Sequence, residues 1–382
     1  MTANDILLVP ESEFTPFDDV DLFNYNRLTG RICQRKDHRY GALVIETVNG
    51  RPALQYIYGT PKMHYPFAPT LDPEERAYRF PPITSATFYE KVDGTNILAY
   101  RYYDADGIEY ITYKTRLTAV LRQSRFGDWH GLWSRMIAQY PDIPNLVDLN
   151  EGMSISFELY GSGNPHLVSY STPLDTKILF AVTPNGKVLP PDRLVRRGVP
   201  TADRIVTVRS QDRLIAEYEF LRKGMTGQNT EAGDKILVEG MILYCRTAPG
   251  EFIQLKCKPE QVEDIHFASH SSINRNIVRA AALKVIESDT SLNEKTVNAV
   301  LLEDWELSKV QGAFASGLIY VVIEEVVAEM VFRDKVLTAY REFGESIHDN
   351  KPAVMRYMSS IFDRSAMQKV YSTILSSPHP VD

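Results

Sequence analysis

Lys91 and Asp93 stand two residues apart at the edge of a predicted strand, in the run Glu90-Lys91-Val92-Asp93-Gly94-Thr95-Asn96, where the glycine suits a turn. A lysine amine is a nucleophile only when neutral, and with an ordinary pKa of about 10.4 it is almost wholly charged at neutral pH. Its surroundings must lower that pKa, and nearby cations do so by disfavouring a further positive charge. Lys256 and Lys258 suit the task, because two residues apart on a predicted strand they share one face. The segments Ser156-Phe157-Glu158-Leu159-Tyr160-Gly161 and Val238-Glu239-Gly240-Met241 put one carboxylate on each of two further predicted strands, where the pair can position a cation or hydroxyl groups. Taken singly, each charge reads as a solvated strand residue. Four such segments following one another in order do not.

The elements that must position these groups fall into two parts. Between Gln261 and Leu375 there are one proline, Pro352, and three glycines, Gly312, Gly317 and Gly344; the rest of both residue types is concentrated before residue 261. Both residues punctuate turns and are disfavoured inside helices, so residues 1–260 read as strands and loops and residues 261–382 as helices, an α+β chain with its boundary near Pro259. Strands are predicted over Thr87–Tyr103 and Ile108–Thr115, joined by the Asp104-Ala105-Asp106-Gly107 hairpin turn, and over Met153–Tyr160, Lys177–Val182, Lys235–Leu243 and Phe252–Lys258. Arg222–Asp234, with Gly224, Gly227 and Gly233 among polar residues, reads as a surface loop. In the second part Ile273, Ile277, Val278 and Ala281, then Met355, Met358, Ile361 and Phe362, recur at helical spacing. Val321, Val322, Val326 and Met330 form an apolar face read as core in preference to a partner surface.

Composition narrows the class. With 382 residues, 44% hydrophobic and 24% charged, the chain is globular rather than disordered, collagenous or coiled-coil. No basic residue precedes an apolar run in Met1–Asp19, and Leu318–Phe332 is interrupted by Glu324, Glu325 and Glu329, so neither a signal peptide nor a membrane span is expected. Cys33, Cys245 and Cys257 form no CxxC pair and no Cys/His cluster, which argues against a disulfide framework or structural zinc and favours a reducing cytoplasm. The formal charge of −7 is concentrated after residue 260, so any polyanion site must be local.

The ordered segments resemble the collinear motifs of the covalent nucleotidyltransferase superfamily, the polynucleotide ligases and messenger-RNA capping enzymes. Lys91-Val92-Asp93-Gly94 matches the lysine motif, Phe157-Glu158 the aromatic-acidic strand, Ile178-Leu179-Phe180 the second aromatic strand, Glu239-Gly240 the fourth motif and Lys256-Cys257-Lys258 the last. The resemblance implies an antiparallel-sheet nucleotidyltransferase domain, ATP-grasp-like in its ligase fold, followed by an all-helical C-terminal domain. It implies that Lys91 forms a phosphoramidate with an adenylyl group from ATP, assisted by Lys256 and Lys258, which also hold the α-phosphate. Glu90, Lys91, Asp93, Gly94, Asn96, Arg116, Glu158, Phe180, Glu239, Lys256 and Lys258 are then expected around the nucleotide. Phe180 would stack on adenine, and Glu239 and Glu158 would hold Mg2+ or Mn2+. Tyr113-Lys114-Thr115-Arg116 looks like a substrate-phosphate motif, and Arg122 with Arg125 forms a cluster able to grip a 5′-phosphate.

Asn96 stands where capping enzymes and replicative DNA ligases generally carry Arg. Lys-x-x-Gly-Thr-Asn is similar to the lysine motif of phage-type RNA ligases, and Asn164-Pro165-His166 with Val168-Ser169-Tyr170 is similar to their stretch after the second motif. A helical tail in place of an OB barrel points the same way, and Arg333-Asp334-Lys335 only imitates the OB-domain motif. The implied activity is ATP-dependent joining of RNA 5′-phosphate and 3′-hydroxyl ends, with ATP and RNA as partners and no membrane. ATP is preferred to NAD because no nicotinamide-binding module is visible. The Arg31–Arg39 stretch with Tyr40, and Tyr58-Gly59-Thr60-Pro61-Lys62, are expected to complete the catalytic domain and touch RNA. A DNA end-joining ligase and a non-catalytic RNA-end-binding protein stay open as alternatives, as do the oligomeric state and the natural RNA.

Overall fold

The computed structural model describes residues 5–67, 77–124, 127–164, 166, 168, 170–231, 237–248, 250–259, 275–304 and 309–376. The first part is built of antiparallel sheets. An N-terminal sheet runs β1 (Phe14–Asp21), β2 (Asn26–Cys33), β3 (Leu43–Val48) and β4 (Arg51–Ile57) in sequence order. Next come β5 (Ser85–Glu90), β6 (Thr95–Tyr103), β7 (Glu109–Lys114), the short pair β8 (Gln123–Ser124) and β9 (Gly127–Asp128), and helices α1 (Trp129–Gln139) and α2 (Leu146–Leu149). They are followed by β10 (Ser154–Tyr160), β11 (Asp175–Val182), β12 (Val188–Leu189), β13 (Arg204–Val208), α3 (Gln211–Glu231), β14 (Met241–Ala248) and β15 (Glu251–Cys257).

These strands pair into two further sheets, ordered β12-β11-β10-β6-β7 and β13-β5-β14-β15. The expected single strand over Thr87–Tyr103 is therefore two strands in different sheets, and Lys91–Gly94 is the crossing between them. The crossing presses closely on β10: a Cβ on Gly94 would lie 2.2 Å from the Leu159 carbonyl oxygen, which only glycine avoids. Tyr89, Phe180, Ile242, Tyr244 and Val44 pack into one buried cluster that locks the three sheets together. Trp133 and Met136 of α1 cover Ile155 and Phe157 of β10 on the far side.

The hairpin at Asp104–Gly107 forms as expected: Asp104 Oδ1 accepts from the amides of Asp106 and Ile108, both at 2.9 Å, and Gly107 has φ +79°. Two other expectations need correction. Arg222–Glu231 is not loop but the second half of α3, while residues 232–236 lie outside the described residues. Leu214, Tyr218, Arg222, Met225 and Asn229 are buried at helical spacing, and the cores of β5, β14 and β15 take up the apolar ones; Gly224 and Gly227 are exposed, so they cost helix propensity without disturbing that face. Strand β14 begins at Met241 rather than in the Lys235 region, leaving Glu239 just outside the strand.

Helices follow from residue 275: α4 (Arg275–Glu287), α5 (Glu294–Asp304), α6 (Lys309–Phe343), α7 (Lys351–Ile361) and α8 (Met367–Leu375). The start of α7 is written in its sequence, with Asn350 accepting from the Ala353 amide and Pro352 in the first turn, where no helical N–H is needed. Val322 and Val326 are buried against α4 and α5, whereas Val321 is exposed, so the expected apolar face is mostly core. Arg333-Asp334-Lys335 lies within α6, as the helical pattern predicts. No helix among the described residues is long and apolar enough to cross a membrane.

Candidate functional site

A cavity of about 310 Å³ opens between the two crossing-linked sheets and is closed on one side by α4 and α5. It has two ends of different chemistry. Tyr89, Leu179, Phe180, Ile242 and Tyr244 supply an apolar surface, and Lys91, Asp93, Glu158, Glu239 and Lys258 a charged one. Strand alternation accounts for much of this. Ile242 and Tyr244 lie opposite Lys256 and Gln254 in the β14–β15 pair, so all four share a face, and Asn96 lies opposite Glu158 in the β6–β10 pair.

The Lys91 amide donates to the Gly240 carbonyl at 3.0 Å, which fixes the crossing to the segment bearing Glu239. That segment is held from the other side by α3, because Asn229 donates to the Val238 carbonyl at 2.9 Å and accepts from the amides of Leu237 at 2.9 Å and Val238 at 3.0 Å. The Glu239 carboxylate sits between two ammonium groups: Lys91 Nζ donates to Oε2, and Lys258 Nζ donates to Oε1 at 3.1 Å. Asp93 Oδ2 accepts from the Val168 amide at 2.7 Å, and the Asp93 amide is 2.9 Å from the Tyr170 hydroxyl oxygen, which accepts from it.

The charge states follow from this packing. Burial alone would raise Glu239, but Lys91 and Lys258 outweigh it and hold its carboxyl far below the usual range. Burial likewise would lower Lys91, yet Glu239, Glu158 and Asp93 together raise it above its ordinary value. This overturns the expectation of a lysine depressed by a cation pair. The reason is geometric: Lys258 spends its charge on Glu239, and Lys256 lies over the Tyr65 ring at 5.4 Å. At the cavity's charged end it is Lys258 that is lowered, through burial and the neighbouring Lys91 and Lys284. Burial pushes Glu158 up to about 7, and among the described residues its carboxylate has no hydrogen-bond partner.

The other expected residues divide. Phe180 lines the cavity but is buried in the inter-sheet core. The Glu90 carboxylate is engaged by Lys177 and by the Asp203 amide at 2.9 Å. Asn96 spends its amide group on Ser156 Oγ at 2.8 Å and the Phe157 carbonyl at 3.0 Å, and its oxygen accepts from Thr60 at 2.7 Å, so it braces the sheet at the cavity wall. Arg116 faces the cavity, with its guanidinium 5.8 Å from the Tyr40 ring centre.

Within Tyr113–Arg116 the phosphate-contact reading fails for Lys114 alone, which is fully buried and donates to the carbonyls of Gly41, Thr115 and Arg116 at 2.9–3.1 Å. Arg122 is no open clamp either, being paired with Asp19 at 2.6 Å and Asp289 at 3.0 Å; Arg125 lies outside the described residues. Arg31, Arg35 and Arg39 are each paired with acidic neighbours, so they do not form a bare basic patch. Thr60 and Lys62, by contrast, do reach the cavity, as does Tyr40.

Sequence reasoning missed Tyr89, Tyr244, Lys284 and Glu287 among the lining residues, and met His166 only as part of the Asn164-Pro165-His166 resemblance, with no role. The alternation of Ile242 and Tyr244 on a predicted strand was the signal for one wall. Nothing in the local sequence marks Lys284 and Glu287, because only helix docking brings them in. Among the described residues no group of three or more His, Cys, Asp or Glu side chains forms a ready metal site.

No family model matches the chain, and no curated protein matches it. Solved structures do. An archaeal ATP-dependent RNA ligase is 13% identical with a TM-score of 0.44, the match covering 92% of this chain and 91% of that one. A protein from Aquifex aeolicus assigned as an ATP-dependent DNA ligase is 12% identical with a TM-score of 0.42, covering 92% of this chain and 86% of its own. Naegleria gruberi RNA ligase with pyrophosphate is 15% identical with a TM-score of 0.34, covering 48% and 52%. The chain is thus similar to ATP-dependent ligases of RNA and of DNA.

Proposed function

We propose that this protein is an ATP-dependent RNA ligase that joins 5′-phosphate and 3′-hydroxyl ends through a lysyl-AMP intermediate on Lys91. The observation that carries the reading is convergence. Four segments far apart in the sequence bring Lys91, Glu158, Glu239 and Lys258 to one cavity whose other end is apolar enough to take a base.

In the first step the Lys91 amine attacks the α-phosphorus of ATP, forming a P–N bond as pyrophosphate leaves. AMP then passes to the 5′-phosphate of an RNA strand, and a 3′-hydroxyl attacks the activated phosphorus, releasing AMP. Tyr89, Tyr244, Leu179 and Ile242 offer the adenine an apolar slot, with Phe180 behind it. Lys256 and Lys258 line the same cavity and are the cations offered to the α-phosphate, Lys258 once Glu239 turns to a cation. Attack requires Lys91 to shed its proton, and Glu239 opposes this while it holds the ammonium. Glu158 fits a divalent cation, being a buried acid raised to about 7 with no hydrogen-bond partner among the described residues, and Glu239 is the second carboxylate able to share it. Mg2+ or Mn2+ held by this pair would draw off the charge that keeps Lys91 protonated and offset charge on the departing pyrophosphate.

RNA is preferred over DNA because Asn96 replaces the arginine of capping enzymes and replicative ligases, and because helices rather than a barrel follow β15. The test is incubation with labelled ATP and Mg2+, then a chase with matched 5′-phosphorylated RNA and DNA strands. The expected result is a covalent protein–AMP adduct, absent in Lys91→Ala, that discharges onto a 5′-phosphorylated end, with joining when RNA supplies the 3′-hydroxyl. An adduct at wild-type level in Lys91→Ala would overturn the assignment, and equal joining of all-DNA ends would replace RNA by DNA.

A further inference from the structure

The helical part of the chain supplies a wall of the cavity that no motif announces. The last turn of α4 is fixed to the start of β6: Thr95 Oγ1 donates to Glu287 Oε1 at 2.9 Å, and His166 Nε2 lies 2.7 Å from the same oxygen. Two residues on, Asp289 pairs with Arg122 at 3.0 Å, a second tie between the two parts. Thr95 immediately follows Gly94, so Glu287 anchors α4 directly beside the lysine crossing.

Lys284 lies three residues before Glu287, hence on the same face of the helix, and lines the same cavity as Lys91. Its ammonium is close enough to Glu239 and Lys258 to act on both electrostatically. The charged end of the cavity holds Asp93, Glu158 and Glu239, which repel a polyphosphate, while Lys258 is committed to Glu239. A strongly anionic triphosphate needs further positive charge beyond the α-phosphate; Lys62 and Arg116 line the sheet side of the cavity, and α4 brings Lys284 from the facing wall.

We infer that Lys284 contacts the β- and γ-phosphates of the nucleotide and that Glu287 is a positioning residue holding α4 over them, so the ATP site is shared between the sheets and the helical segment. This rests on the lysyl-AMP reading above and deepens it.

Two reactions of the full-length protein separate the possibilities: protein–AMP formation from ATP, and sealing of an RNA strand already carrying 5′-adenylate, which involves no triphosphate. Lys284→Met should raise the KM for ATP by about tenfold or more, the loss expected for one charge-assisted phosphate contact, while sealing of the adenylated strand stays within about twofold. Lys284→Arg should restore most of the ATP affinity. Glu287→Gln should raise the same KM with a smaller effect on kcat. An unchanged KM in Lys284→Met, an equal loss in both reactions, or no recovery with arginine would overturn the inference. Absence of any protein–AMP in the wild type would instead overturn the underlying reading.

Discussion

The Lys91 amide and the Gly240 carbonyl are joined by a 3.0 Å hydrogen bond, so the nucleophile and the carboxylate beside it are set by one backbone contact between two strands' ends. A Cβ on Gly240 would lie 2.6 Å from the Cys257 carbonyl oxygen. Since that neighbour is backbone, Gly240→Ala must shift the entry to β14 and with it Glu239. The variant should lose more than about 1 kcal/mol in denaturant unfolding and most of its protein–AMP yield. Wild-type stability and yield together would show that this contact is not a constraint.

Phe180 tests packing against base recognition. Because the ring is buried with Tyr89, Ile242 and Tyr244, Phe180→Ala should cost about 3–5 kcal/mol and Phe180→Leu roughly 1–1.5 kcal/mol. If the ring is mainly core, Phe180→Leu keeps the KM for ATP within about threefold, well under the factor of ten that marks a lost 1.4 kcal/mol contact. A tenfold rise at unchanged stability would assign it to stacking on adenine.

His166 makes the docking of α4 depend on pH. Burial would lower its pKa, but Glu287 and then Asp93 raise it to about 9. A raised basic group stabilises fully below its unfolded value and loses that contribution as pH climbs through the folded value. The window therefore runs from about 6.5 to about 9 and is worth on the order of 3 kcal/mol. Glu158, also near His166, acts in the same direction over a lower window: an acid raised to about 7 costs stability as pH rises from 4.5 to 7 and adds no slope above that. Lys114, a buried base lowered to about 7, adds the opposite slope above pH 7, so the test is the difference: wild-type unfolding midpoints from pH 7 to 9.5 should drop relative to those of Glu287→Gln as pH rises. A matching slope in both proteins would refute the link.

Lys114 should behave as a structural residue. Lys114→Met strands the carbonyls of Gly41, Thr115 and Arg116, at a cost of about 2–4 kcal/mol, and should leave the salt dependence of RNA binding unaltered. A stable variant with a shallower salt dependence would return this lysine to the phosphate-binding role its neighbours suggested.

Much of this site is legible in the amino-acid sequence, for a physical reason. Strand alternation fixes which side chains share a face, so Lys256 with Ile242 and Asn96 with Glu158 follow once the strands are known. The break at Lys91 is harder to see, because apolar residues flank it on both sides and only sheet assignment separates β5 from β6. Helix α3 hides behind exposed glycines. The sign of the Lys91 shift is out of reach because it depends on which carboxylate each lysine meets, and side chains 148 residues apart decide that. Lys284 and Glu287 enter only through the docking of α4, for which the chain carries no local pattern.

The lysine crossing has one more consequence. Its four residues are the bridge between two sheets, so the reactive amine has no platform of its own. Any spreading of the sheets leaves it tied through Gly240 to Glu239 while Glu158 departs with the facing sheet, so opening the pocket and taking apart the nucleophile's surroundings are a single mechanical event.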